Sequence, residues 1–212
     1  MSIEKHIKGK GILAKLIETA LILWIKKQCE EVNNLILKVK GSNINLLKGN
    51  ISEIRLIASG ILFKEIPIQD INISSSEIHF NLSLKDKSIN FKENLKVSAD
   101  ISITRDGFTK ILIESRWAFL GELIQKEFLN MRSINYISLK NGNIQICSSE
   151  DRKTTTTSIN TFKLICREGK PELIDIKSSK SIEIPMDQNI FCKNTKISDN
   201  LLKIKLEAII TT

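Results

Sequence analysis

The 212-residue sequence predicts an α+β fold in which a long, curved antiparallel β-sheet wraps around amphipathic helices. Two segments carry apolar residues at three- and four-residue steps, the period of a helix with one apolar face. Several other runs alternate between apolar and polar residues, as strands do when one face is buried and the other is wet. Asn141-Gly142 lies between two such runs and is a strong signal for a hairpin of antiparallel strands. The length suits one domain over residues 1–212.

The composition narrows the classes of partner. Hydrophobic residues make up 42% of the chain, so a substantial core can form and disorder of the whole chain is excluded. The net charge of +8 suits nucleic acid, an anionic membrane surface or simple solubility. The cations are dispersed, since Lys26-Lys27 and Arg152-Lys153 are only pairs. We therefore expect no nucleic-acid partner.

The first helix is predicted over about residues 10–32. Its apolar face contains Leu13, Leu16, Ile17, Ala20, Leu21, Trp24 and Ile25. Lys15 and Glu18 interrupt the run, which is too short and too charged for a membrane span of about 20 residues. The run ends in charged residues rather than in a small-residue cleavage site, so no signal peptide is expected. The sequence favours a cytoplasmic protein that touches membranes reversibly, as a peripheral protein.

Period-two runs predict strands in the first half of the chain, at residues 35–40, 54–59, 66–73, 78–84 and 95–103. The phase changes at Gln69-Asp70, where we expect a β-bulge because a one-residue slip turns side chains to the wrong face. The cleanest run, 95–103, should bury Val97 and Ile101 and expose Asp100 and Ser102.

A second helical region is predicted over about residues 106–129, with Thr104 or Asp106 as its cap. Its apolar phase is imperfect around Ser115-Arg116, which indicates a kink or two short helices. Strands return in the last third, as a hairpin around Lys140–Asn143 and then at residues 159–166, 173–176, 182–184 and 202–208. The polar stretches 148–158 and 178–181 are predicted to be loops.

No catalytic or metal-binding constellation is recognisable. Cys29, Cys147, Cys166 and Cys192 are widely spaced and form no C-x-x-C pair, so free thiols are expected, with Cys166 buried. His79 lies on the polar side of a predicted strand, without a nucleophile or an orienting carboxylate near it in sequence. The sequence therefore predicts no enzyme activity, no cofactor and no metal.

Several segments share a pattern with a known family. They are Ala20–Glu30, Gly41-Ser42, Leu46–Ile51, Ile54–Ala58, Phe63–Ile66, Ile73–Ser75 and Ile103–Asp106. Together they resemble the LmeA-like phospholipid-binding proteins, in the form common in cyanobacteria, over about residues 18–147. The family is similar in architecture to tubular lipid-binding domains, in which a curved sheet encloses acyl chains around a helix. Strands in residues 148–212 match no family pattern.

The resemblance implies a phospholipid or another acyl lipid as partner, held in an apolar groove between helices and sheet. The candidate lining residues are Leu21, Trp24, Leu56, Ala58, Ile101, Trp117 and Leu120, each of which could equally be a plain core residue. Lys48, in a Gly-rich connection, is the candidate contact to a lipid headgroup, although glycines there could simply serve a turn. Trp24, Trp117 and Phe119 suit either core packing or a half-wet belt at a membrane interface. The alternative function is a non-enzymatic protein-interaction or membrane-complex assembly factor.

Overall fold

The computed structural model describes residues 11–83, 88–150 and 157–211, which form an α+β structure dominated by antiparallel sheet. In chain order the elements are α1 (Ile12–Gln28), β1 (Glu31–Lys40), α2 (Asn43–Leu47), β2 (Asn50–Ile51), β3 (Glu53–Phe63), β4 (Ile66–Ser75), β5 (Ile78–Ser83), β6 (Ser88–Phe91), β7 (Leu95–Thr104), α3 (Arg105–Ile113), α4 (Phe119–Phe128), β8 (Ser133–Lys140), β9 (Asn143–Ser149), β10 (Thr157–Arg167), β11 (Lys170–Asp175), β12 (Ser181–Glu183), β13 (Ile190–Ser198) and β14 (Leu201–Ile210).

The described strands form three sheets. The large sheet has the order β1-β3-β4-β7-β14-β13, the second has the order β12-β11-β10-β9-β8, and β2, β5 and β6 form a small third sheet. All pairings among these strands are antiparallel. The C-terminal strands, which the sequence left without a family assignment, therefore complete the large sheet and supply part of the second.

Two apolar cores lie on these sheets. The α1 core joins α1 to β1, β3, β4 and β5, with Leu37, Leu56 and Phe80 among its buried residues. The α3–α4 core joins α3 and α4 to the second sheet and to the β7–β14 part of the large sheet. Ile66 and Ile101 pack against both cores. The two helical regions of the sequence thus serve different cores.

Both predicted helical regions are confirmed, with changed limits. α1 stops at Gln28, and β1 begins at Glu31 rather than after Asn33-Asn34. The second region is two helices, as the imperfect phase indicated. Thr104 caps α3 by accepting a hydrogen bond from the Gly107 amide at 3.0 Å. α3 ends at Ile113, and Ser115 lies just beyond it, where its Oγ donates to the Ile111 carbonyl and accepts from the Trp117 amide.

The strand at residues 95–103 is confirmed as β7, but its burial is weaker than expected. Ile103 is buried, Val97 and Ile101 are half-buried, and Asp100 is exposed. Ser102 is half-buried rather than exposed. The two faces of β7 differ less in exposure than the alternation suggested. Ile101 lies where the two cores meet, and Val97 lies beside a cavity.

The β-bulge expected at Gln69-Asp70 is wrong. Ser59 pairs with Asp70 and Ile61 with Ile68, so the register between β3 and β4 is the same on both sides of this point. The alternation of apolar and polar residues does change phase here, but β3 and β4 change phase at the same place. Neither strand therefore carries an extra residue.

The predicted hairpin at Asn141-Gly142 is confirmed. Lys140 pairs with Asn143, and the two turn residues have φ angles of 52° and 74°. Positive φ at both central positions is the geometry of a type I′ turn, which matches the twist of the flanking strands.

Two expectations in the last third are wrong. Ser148 and Ser149 belong to β9 and are buried, so the polar stretch does not begin there as a loop. β13 was not predicted at all, because its sequence is polar and a register shift between Cys192 and Asn194 breaks the alternation. Residues 151–156, Leu84 and His6 lie outside the described part of the chain.

Cys166 and Cys192 form a disulfide, which corrects the expectation of free thiols. Their Cα atoms are 5.6 Å apart, and the bond joins β10 of the second sheet to β13 of the large sheet. A second link lies close by, since the Thr195 hydroxyl donates to the Leu164 carbonyl at 2.8 Å. The sequence does not predict this disulfide because it does not predict β13, the strand that contains Cys192.

We predict that the double variant Cys166→Ser, Cys192→Ser loses about 2–4 kcal/mol of unfolding free energy, because the bond restricts the unfolded chain. Urea denaturation with and without reductant measures this loss. Reductant should destabilise the wild type and the Cys29→Ser control, and should leave the double variant unchanged. Alkylation of four thiols in unfolded protein that was purified without reductant would contradict the pairing.

Candidate functional site

An apolar cavity of about 480 Å³ lies between α1 and the large sheet. Its apolar lining comes from α1 (Leu21, Trp24, Ile25), β1 (Val32, Leu35, Leu37), β3 (Ile54, Leu56, Ala58, Ile61, Phe63), β4 (Ile68, Ile71, Ile73), β5 (Ile78) and β7 (Leu95, Val97). The remaining lining residues are Gln28, Cys29, Lys64 and Ser75. A site of this composition suits an apolar ligand with little hydrogen-bonding capacity.

The sheet keeps one apolar face toward the cavity by changing phase in three strands at once. The lining residues change from even to odd numbers between Val32 and Leu35 in β1, between Ala58 and Ile61 in β3, and between Ile68 and Ile71 in β4. The skipped pairs, 33–34, 59–60 and 69–70, lie side by side, because Asn34 pairs with Ser59 and Ser59 with Asp70. Gly60 permits the change with a φ of 58°, and a Cβ there would lie 2.2 Å from the Asn33 side chain.

α1 is fixed at its N-terminal half and stands over the cavity at its C-terminal half. The buried Glu18 carboxylate accepts a 2.7 Å hydrogen bond from the Val39 amide of the edge strand β1. Ala14 is also fully buried. In contrast, the α1 residues at the cavity are Leu21, Trp24, Ile25 and Gln28. The helix therefore roofs the cavity with its second half only.

The mouth of the cavity includes Trp24 and Lys64. Trp24 lines the cavity and yet is 60% exposed, so its ring faces both the apolar interior and water. Lys64 occupies the β3–β4 turn, and its ammonium lies 5.4 Å from the centroid of the Phe63 ring. The Lys64 carbonyl accepts a hydrogen bond from the Trp117 indole at 3.0 Å. The α3–α4 connection thereby holds this turn in place.

A polar cavity of about 640 Å³ lies on the opposite face of the large sheet from the apolar one. Ser75 and Val97 line both cavities. The polar cavity is further lined by Ser74, Ser76, Ser98, Lys96, Lys193 and Glu207, together with Phe191, Ala208 and Ile209. Lys193 is paired with Glu207 at 2.8 Å, whereas Lys96 makes no ion pair within the described residues. Along β4 and β7 the side chains of Ser75 and Val97 alternate with those of Ser74, Lys96 and Ser98, so these hydroxyl groups and this cation lie on the opposite face of the sheet from the apolar cavity.

The structure separates the residues that the sequence grouped as a groove. Leu21, Trp24, Leu56 and Ala58 line the apolar cavity. Ile101 is half-buried between the two cores and outside the lining, and Trp117 and Leu120 pack against the α3–α4 core. Lys48 is exposed at the end of α2 and lines neither cavity. α3 and α4 do not reach the cavity because they pack against β8 and the second sheet.

Sequence reasoning missed the β1 and β4 residues of the lining, as well as Cys29, Phe63 and Lys64. The available signal was the pair of adjacent polar residues inside an apolar run. In the sequence Asn33-Asn34 follows the predicted helix and Gln69-Asp70 predicts a bulge, whereas in the structure both pairs belong to the shared phase change. Among the described residues, His79 is half-buried and its Nδ1 lies 2.9 Å from the Asn50 Oδ1, so it belongs to the small sheet and not to the cavity.

The described part of the chain contains no group of His, Cys, Asp and Glu side chains placed to hold a metal ion. No helix in that same part is both long enough and apolar enough to cross a bilayer. Comparison with known proteins gives no match to any family model, curated protein or solved structure.

Cys29 provides a chemical reporter of the apolar cavity. Burial, and secondarily the neighbouring Glu30 carboxylate, raise the pKa of its thiol above the ordinary value. At neutral pH we expect maleimide to label Cys29 more slowly in the folded protein than in the unfolded one, with the rate rising only at pH values above the usual thiol pKa of about 8.5. Mass spectrometry of a pH series measures this. Cys29→Ser is the control, because Cys147 is buried; equal rates in folded and unfolded protein would contradict the burial.

Proposed function

We propose that the protein binds a phospholipid or another acyl lipid, with an acyl chain in the apolar cavity beneath α1, and that it acts without catalysis. The observation that carries this proposal is a cavity of about 480 Å³ whose lining is mostly aliphatic. Its volume falls within the range of about 300–1,000 Å³ typical of small-molecule sites. An ordinary core would be packed at crystal-like density, without such a space.

Transfer of a lipid chain into this cavity is energetically favourable. Each buried methylene contributes about 0.8 kcal/mol, so ten of them contribute about 8 kcal/mol before the cost of immobilising the ligand. Such binding depends mainly on non-directional contacts, so it selects for an acyl chain rather than for a particular lipid headgroup. The lining requires no buried polar partner from the ligand.

The polar end of the lipid has a suitable neighbour in Lys64. Among the described residues, this lysine is the one charged residue in the lining of the apolar cavity, and it lies at the mouth. A phosphate attracts an ammonium group. We therefore propose Lys64, in place of Lys48, as the contact to the headgroup.

The sequence resemblance to LmeA-like phospholipid-binding proteins supports the same proposal, including lipid transfer at a membrane surface. The proposed enclosure is smaller than the sequence suggested, because only the second half of α1 lines the cavity. The competing function, that of a protein-interaction or assembly factor, predicts a stoichiometric protein partner and requires no ligand in the cavity.

Native mass spectrometry after gentle purification separates these functions. A mass increment that dissociates as a lipid supports the proposal, and lipid extraction then gives its class. A ligand-free protein that binds no added phospholipid, but that retains one stoichiometric protein, would favour the assembly factor.

A ring placed in the cavity should compete with lipid. We predict that Ala58→Trp retains most of its unfolding free energy while lipid binding falls strongly, because the new side chain occupies the space that the chain would fill. Ala14→Trp is the matched control: Ala14 is fully buried but outside the lining, so overpacking should cost about 1–3 kcal/mol or more. Thermal unfolding and fluorescent-lipid binding measure both effects. Strong destabilisation by Ala58→Trp, equal to that of the control, would show a packed site.

A further inference from the structure

The outward side of α1 is apolar as well as its inward side. Ile12, Leu16 and Leu23 are exposed, the last two at 62% and 64%. Their spacing of four and seven residues places them in one row along the helix, opposite the buried Ala14 and Glu18. A surface helix of a globular protein normally has one apolar stripe and a polar outer side. α1 therefore carries an apolar surface that the described protein leaves uncovered.

The exposed charges of α1 all have one sign. Lys15, Lys26 and Lys27 are exposed, whereas the helix's sole carboxylate, Glu18, is buried against β1. An apolar row flanked by lysines is the pattern of helices that lie in the plane of a membrane interface. Lysine stems can bury beside the apolar row while their ammonium groups stay at the level of anionic headgroups.

α2 extends this surface. It packs against α1, with Asn43 so close to Gly11 that a Cβ on the glycine would overlap its side chain. Ile44 and Leu47 of α2 are exposed, and the next residue is the exposed Lys48. Exposed apolar side chains with a lysine nearby thus occur both on α1 and at the C-terminal end of α2.

We infer that the outer face of α1, continued by α2, docks on an anionic bilayer with α1 parallel to the membrane plane. The inference rests on the proposed function, and it names the surface from which the lipid is exchanged. Trp24 connects the two, because its ring lines the cavity and is also exposed beside the docking face. A docked α1 brings the mouth of the cavity to the depth at which acyl chains begin.

The test is flotation with vesicles of phosphatidylcholine and phosphatidylglycerol, and with vesicles of phosphatidylcholine alone, at low and high salt. The variant Leu16→Glu, Leu23→Glu should bind anionic vesicles more than about tenfold more weakly than the wild type, because it puts charge into the apolar row. The variant Leu16→Ser, Leu23→Ser should show a smaller loss in the same direction. High salt should weaken the binding of the wild-type protein to anionic vesicles, because it screens the attraction between lysines and headgroups.

Ile36→Glu with Ile57→Glu is the matched control. These residues are 55% and 47% exposed and pair with each other on β1 and β3, outside α1. The control adds the same charge to a similar apolar pair and should retain vesicle binding. Equal losses in control and α1 variant, or unchanged flotation of both α1 variants, would overturn the docking face.

Lipid in the cavity is measured separately, by native mass spectrometry of each variant without vesicles. α1 variants that still carry lipid but no longer float support the docking face. Absence of lipid from the wild type would overturn the proposed function, while flotation still decides the docking face. Loss of a stoichiometric protein from the α1 variants with flotation unchanged would assign the surface to that protein instead.

Discussion

The hydrogen bond from the Val39 amide to the buried Glu18 carboxylate determines how α1 sits on the sheet. α1 carries apolar side chains on nearly every side, so hydrophobic burial alone does not select which side of the helix faces the sheet. A carboxylate left unpaired in the core would be strongly unfavourable, and the observed rotation gives Glu18 an amide donor from an edge strand. Leu21 and Ile25 thereby face the cavity, and Leu16 and Leu23 face outward.

The sheet contributes a second constraint, which concerns shape rather than position. A strand that alternates strictly presents one face throughout, and a conventional bulge would shift its register. Here β1, β3 and β4 each place two consecutive residues away from the cavity in the same row, and their pairing stays in register. Gly60 supplies the one positive φ that this row requires. The apolar face therefore continues on both sides of that row.

Periodicity in the sequence was sufficient for the local structure and insufficient for its assembly. It predicted α1, β7, the break at Ser115 and the Asn141-Gly142 hairpin, since each depends on neighbouring residues. It placed Leu21 and Ala58 in the groove, and it also placed Trp117 and Leu120 there, because an apolar face does not reveal which core it joins. β13 and the Cys166–Cys192 bond escaped for a related reason: a polar strand with a register shift is recognisable only beside its partner.

The strand order has a consequence for how the chain folds. β7 lies between β4 and β14, and Ile103 of β7 pairs with Leu202 of β14 across almost the whole second half of the sequence. Contacts between such distant residues form slowly, because a long loop must close first. Until β14 arrives, one edge of β7 offers unpaired amides and carbonyls beside isoleucine side chains, a template for pairing with another chain. A ribosome-bound chain that ends before β14 is therefore the species most exposed to aggregation, and the one on which a chaperone would act.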